Sequence, residues 1–192
     1  MNIFYLDDDP VRAASYMHDR HIISGINEST QLLSNWAVQW DGPTGVEDGG
    51  DFDPFDQCSF LGDLPWAALS HQNVPVSKWL YEGLGNVQWL VNHLHGLLNE
   101  YDLRYSGNKD KFTKSRTIVY KMDAFLGHFK EKIFTPPVIA VPEKYNNGDA
   151  VESYRAYYTA EKAADNRWSR PSKKPDWILD PVKTVSASDI MI

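Results

Sequence analysis

The strongest constraint on this chain is the segment 76–105, where Leu80, Gly83, Leu84, Val87, Leu90, Val91, Leu94, Leu97, Leu98, Tyr101 and Tyr105 recur at helical spacing. At about 3.6 residues per turn they make one wide apolar stripe, which predicts a helix that other helices must cover. Along one margin Trp79, Asn86, His93 and Glu100 step by seven residues, with Arg104 one turn further. Such a step returns to nearly the same face. Hydrogen-bonding groups aligned beside an apolar stripe suit a pocket wall, and equally a satisfied network between helices.

The covering elements follow from the same periodicity. Asn2 to Leu6 reads as a short buried strand. Asp8 or Asp9 then caps a helix with Pro10 at its first position. Through residues 11–36, Val11, Ala14, His18, Ile22, Gly25, Ile26, Leu32, Leu33 and Trp36 form an apolar arc. His21 and Glu28 project together on one margin of that arc, Asp19 lies on the other, and Arg20 faces outward. Gly25 costs such a helix roughly 1 kcal/mol, which suggests close approach of another backbone. A third helix is expected from about Asp110 to Lys132, with Lys109, Lys111, Lys114 and Arg116 at its start. Pro136 and Pro137 stop it, and 138–142 reads as extended, either paired beside the first strand or laid over the core.

A last helix from Asp149 to about Trp168 carries Tyr154, Arg155, Tyr158, Glu161 and Lys162, aromatic rings beside cations that suit base stacking and phosphate contact. The fold expected is mainly α: a single helical domain over 1–168, with a short N-terminal strand, an acidic loop or lid at 41–75 and a loosely structured tail at 169–192.

Charge narrows the range of partners. Residues 1–64 carry two basic against twelve acidic side chains, whereas 102–133 carry eight basic against four acidic. The overall charge of −7 weighs against a general DNA coat and leaves room for a local basic patch. No apolar run is long enough for a membrane span, and no signal-peptide pattern opens the chain, so a cytoplasmic protein is expected. Cys58 is the only cysteine, which excludes an intrachain disulfide and a multi-cysteine metal site. The acidic loop lacks the glycine and terminal glutamate of a calcium-binding loop, and His93 and His95 face different ways, so no metal is expected. Phosphate-cradling, dinucleotide-binding, HExxH, CxxC and nucleophile-elbow motifs are absent, and no cofactor is implied. What remains is acid–base chemistry from His, Glu, Tyr, Arg and Lys, or binding without chemistry.

Several of these residues, taken together, resemble a family of small proteins encoded by tailed bacteriophages. The resemblance rests on Asn2-Ile3-Phe4-Tyr5-Leu6, Asp9-Pro10, Ala13-Ala14, Asp19, His21, Glu28 and Gln31-Leu32-Leu33-Ser34. It continues through Trp79, Asn86, Trp89-Leu90, Glu100-Tyr101, Arg104-Tyr105, Phe134-Thr135-Pro136-Pro137, Ser153 to Tyr158, and Glu161-Lys162. Members are labelled as similar to pyrimidine-dimer DNA glycosylases or to enzymes of phage thymidine hypermodification. The resemblance therefore implies a helical protein acting on a DNA base or nucleotide, with Asp19, His21, Glu28, Arg104, Tyr154, Arg155 and Lys162 as the matching polar positions. The chain departs from the family where a Lys-rich stretch usually follows the His: Ile22-Ile23-Ser24-Gly25 stands here and supplies no cation beside His21.

The leading expectation is an enzyme in which Glu28 is the acid/base and His21 orients or relays a proton beside Asp19. Arg104, Arg155 and Lys162 hold phosphate, Tyr154 or Tyr158 stacks on a base, and Trp79 and Asn86 line the site. The rival is a non-catalytic protein that sequesters a nucleotide, using the same cations and rings without an acid/base. A third possibility is a host-protein-binding factor working through the acidic loop.

Overall fold

A computed structural model describes residues 3–39, 73–105, 110–163, 166–169 and 171–178. The acidic loop at 41–72, Lys109 and the tail from 179 onward lie outside these residues. Within them the protein is mainly helical: α1 Pro10–Tyr16, α2 Asp19–Gln39, α3 Pro75–Leu80, α4 Leu84–Arg104, α5 Thr113–Leu126 and α6 Ala150–Glu161, with a short 3₁₀ turn at Glu143–Tyr145.

The predicted stripe becomes the centre of the molecule. α4 packs against α1, α2, α3 and α5. It buries residues on nearly every face, from Asn86, Val87 and Leu90 through Leu94 and Leu97 to Arg104. Two expected helices are each split in two. The first breaks at Met17, whose ψ of 141° is extended. His18 restarts the chain by capping α2: its carbonyl accepts from Ile22 N–H at 3.1 Å and its Nδ1 lies 3.4 Å from the His21 amide. The second breaks between Leu80 and Leu84, where the 133–135 segment docks. Gly85 N–H donates to the Ile133 carbonyl at 2.8 Å, and a Cβ at Gly83 or Gly85 would collide with that carbonyl.

Asp9 caps α1 as expected, accepting from Val11 and Arg12 amides with Pro10 in the first turn. α1 reaches α4 closely because Gly96 is bare: a Cβ there would sit 2.9 Å from Ala14 Cβ. Gly25 faces the Leu97 and Met17 side chains rather than another backbone. α6 begins at Asp149, which accepts from Glu152 N–H at 2.8 Å, and it ends at Glu161, earlier than the sequence pattern predicts.

No β-strand forms among the described residues. Ile3, Tyr5 and Leu6 are buried as expected, but the backbone polar groups here pair elsewhere. Leu6 N–H turns back to the Phe4 carbonyl at 2.9 Å, and the Leu6 carbonyl accepts from Arg155 Nε at 2.7 Å. On the 138–142 side the Tyr154 hydroxyl takes both roles a neighbouring strand would play: it donates to the Val138 carbonyl and accepts from Ala140 N–H. The sequence also predicts a loose tail from 169, yet residues 171–178 lie against the body, with Trp177 edge-on to Tyr16 and Ile178 in the core.

Candidate functional site

Of the polar residues singled out from the sequence, Asp19, His21, Arg104 and Tyr158 meet at the start of α2, though not in the roles expected. Arg104, at the end of α4, has a side chain with no exposed surface. Its Nε donates to Glu100 at 2.8 Å, Nη1 to the Met17 carbonyl at 2.7 Å and Asp19 at 3.2 Å, and Nη2 to the Ser15 carbonyl at 3.0 Å, while Nη2 also lies 2.7 Å from Glu100 as an ion pair. Every guanidinium nitrogen donates inside the protein and the side chain is enclosed, which leaves no room for a phosphate. Arg104 is thus the internal tie of α1, α2 and α4, a correction to its expected place as a phosphate ligand.

Asp19 is equally committed. Beyond Arg104 it accepts from the Ser169 amide at 2.9 Å and the Ser169 hydroxyl at 2.6 Å. Burial pushes the Asp19 carboxyl up, but the Ser169 bonds and Arg104 outweigh it and hold the group below its ordinary value. A carboxylate held ionised in this way is a structural acceptor and not a general base.

His21 stands in a stack of rings. It lies 3.9 Å from His18 and 4.7 Å from Phe4, centroid to centroid, and its Nδ1 is 3.1 Å from the Tyr158 hydroxyl. That hydroxyl accepts from the His18 amide at 3.0 Å and keeps its own hydrogen to donate, an arrangement that suits the His21 tautomer with its proton on Nε2. Burial first, then His18 and Lys162, pull the His21 pKa down to about 3. Burial pulls His18 to about 4, with Asp19 opposing and Arg104 and Arg20 assisting. Both rings are therefore neutral at pH 7. Tyr158 has no exposed surface and cannot stack on a base, a second correction.

Glu28 is half-buried on α2, two turns beyond His21. Tyr154 is buried by the 138–140 segment, and burial raises its hydroxyl to about 12. Arg155 clamps the N-terminal segment through the Leu6 carbonyl and Asp7 (3.1 Å), its guanidinium lying 5.2 Å from the Trp177 ring centroid. Lys162 caps the end of α6, with Nζ 5.2 Å from the Tyr157 ring centroid.

The seven-residue ladder is real as geometry and interior in role. Trp79 Nε1 donates to the Thr135 carbonyl. Asn86 donates to the Trp79 carbonyl and Thr135 Oγ1 and accepts from Thr135 N–H. Of the two functions left open for the ladder, these residues make the network between segments. His93 is fully enclosed, its ring stacked 5.0 Å from Trp89, and neither ring nitrogen has a hydrogen-bond partner. Burial holds it near pKa 3.

Open space lies one residue away. A cleft of about 270 Å³ is lined by Asp19, Arg20, Tyr105, Asn166 and Arg167. Its volume is just under the roughly 300–1,000 Å³ usual for small-molecule sites. Arg20 is exposed and makes no hydrogen bond or ion pair among the described residues. The Arg167 side chain is 89% exposed and only loosely paired with Asp19, at 3.7 Å. Tyr105 has one ring face on Tyr101, at 5.0 Å, and donates its hydroxyl to the Asp19 carbonyl. Burial and the Asp19 charge push that hydroxyl up, so it stays protonated.

Among these residues only Asp19 was a candidate from the sequence. Arg20 left one signal, an outward-facing cation on the helix predicted over 11–36. Asn166 and Arg167 left none. Among the described residues no group of three or more His, Cys, Asp or Glu is placed to hold a metal, and no helix is long and apolar enough to cross a membrane. Comparison with protein-family models, curated proteins and solved structures gives no match to this chain.

Proposed function

We propose that this protein binds a nucleotide in the cleft at the start of α2, holding it without converting it. The observation that carries this is the pair of outward guanidiniums, Arg20 and Arg167, set in a cleft beside the Tyr105 ring. Guanidinium groups bind phosphate oxygens in a bidentate fork, and a phenol ring offers a face to a base. The sequence resemblance to phage proteins labelled as similar to base- or nucleotide-acting enzymes implies the same ligand class.

Binding is favoured over catalysis by the state of the titratable groups around the cleft. An efficient acid or base has a pKa near the working pH. Here Asp19 is held down, Tyr105 is held up, and His21 and His18 sit near 3 and 4. None is poised to exchange a proton at neutrality.

The test is to incubate the purified protein with each deoxynucleoside 5′-monophosphate, remove unbound material, denature, and identify what is released by mass spectrometry. Unchanged nucleotide in near-stoichiometric amount is expected. Recovery of a free base or a modified nucleotide would show catalysis instead. Retention of no nucleotide would remove the proposal altogether.

A further inference from the structure

The cleft is not a hollow in one element; part of its wall is borrowed. Asn166 and Arg167 belong to the segment that follows α6 and crosses the start of α2. The segment is anchored at its far end by Ile178 in the core and by Trp177 against Tyr16 and Arg155, and along the start of α2 by hydrogen bonds. Trp168 Nε1 donates to the Tyr16 carbonyl at 2.9 Å, and Ser169 donates twice to Asp19. Ser172 Oγ donates to Glu100 at 2.5 Å. The Arg167 carbonyl accepts from Asp19 N–H at 3.1 Å. The two serine-bonded carboxylates are the same pair that neutralises Arg104, so this fastening has a fixed, buried charge behind it.

We propose that the described stretches 166–169 and 171–178 act as a latch whose closure builds the cleft, and that a nucleotide phosphate bound between Arg20 and Arg167 holds it shut. The inference rests on the nucleotide-binding proposal above for its second half only. Arg167 has little to give up on engaging a ligand: its pairing with Asp19 is long and exposed, whereas Asp19 keeps Ser169 and Arg104 when Arg167 turns away. Because the open latch offers only part of the cleft, ligand binding and latch closure favour each other, as linkage requires.

The segment carries its own reporters. Trypsin cuts after Arg167 and after Lys173, both exposed; after Lys174 the next residue is Pro175. Cleavage of a fastened segment proceeds through its open state and so reports how often it opens. The experiment compares limited trypsinolysis of the full chain and of the Ser169→Ala/Ser172→Ala double variant, each with and without an equimolar mixture of the four deoxynucleoside monophosphates. Calorimetric titration with the same mixture runs alongside. Losing hydrogen bonds to charged partners is expected to speed cleavage at both bonds by at least roughly tenfold. The nucleotides are expected to slow cleavage of the wild-type chain. Equal cleavage of variant and wild type would overturn the latch. Faster cleavage of the variant with no protection, while titration shows binding, would overturn the coupling and leave nucleotide binding standing. Faster cleavage of the variant, with neither protection nor heat of binding, would keep the latch and overturn the nucleotide.

Discussion

Arg104 and Arg20 both lie beside Asp19, and the difference between them shows where charge is available in this fold. Arg104 is sealed inside, with two carboxylates and two carbonyls engaging each of its three nitrogens. Arg20, on the next residue along α2 from Asp19, faces the cleft with no partner among the described residues. Their chemistry is the same and their roles are opposite. An interior guanidinium fully matched by acceptors is fixed in place by its surroundings, and a rim guanidinium with none is free to meet an anion.

The largest effect expected on this contrast comes from Arg104→Ala. Removing one partner of a buried charge cluster leaves Asp19 and Glu100 uncompensated, and the loss is expected to be about 3–5 kcal/mol. Arg20→Ala, on the surface, is expected to change stability by no more than about 0.5 kcal/mol. Chemical denaturation of both variants checks the pair, and similar losses in the two would erase the distinction between interior tie and rim.

Acidification tests the interior from another side. His18, His21 and His93 have folded pKa values of about 4, 3 and 3, below the roughly 6.5 of an unfolded histidine. The unfolded chain therefore takes up protons first. The protein is most stable above about pH 6.5 and loses stability as pH falls from there toward about 4, by up to roughly 1.4 kcal/mol per pH unit for each histidine. Thermal melts between pH 7 and pH 4.5 check this. A melting temperature that stays flat over that range would mean the three rings are not enclosed as described. Asn86→Ala should cost about 1–3 kcal/mol, because it leaves the Thr135 N–H without its acceptor, while the Trp79 carbonyl loses one donor and keeps the Glu82 N–H. Smallest of all, and opposite in sign, is His93→Leu: replacing an enclosed ring that has no hydrogen-bond partner is expected to leave stability unchanged or raise it slightly, and would shallow the acid dependence.

How far the sequence reveals this architecture depends on the range of the interaction involved. The stripe from Leu84 to Tyr101 is visible because helical periodicity repeats within a few residues, and the Asp9 cap is visible because its partners are two and three positions on. The break before α2 is hidden because His18 is not among the usual capping residues. The break before α4 is hidden because its cause, the Ile133 carbonyl, arrives from a distant segment. Arg104 stands out in the sequence on the stripe margin, but its acceptors at Met17, Asp19 and Ser15 lie 87, 85 and 89 residues away. A cation that is already satisfied and one that is free look alike in sequence. For the same reason the sequence points to Arg104 for the anion-binding role proposed for Arg20 and Arg167. Those two come from distant stretches, and only folding brings them to one cleft.

The central claim is that anion recognition belongs to the cleft rim and not to the buried arginine. Its most direct measurement is calorimetric titration of deoxynucleoside monophosphates into the wild-type protein and into Arg20→Ala/Arg167→Ala, with the melting temperatures of both recorded. Two charge-assisted contacts of roughly 1.5–3 kcal/mol each predict a loss of affinity of at least about a hundredfold. The melting temperature should stay close to wild type. Equal affinity in the two proteins would contradict the account.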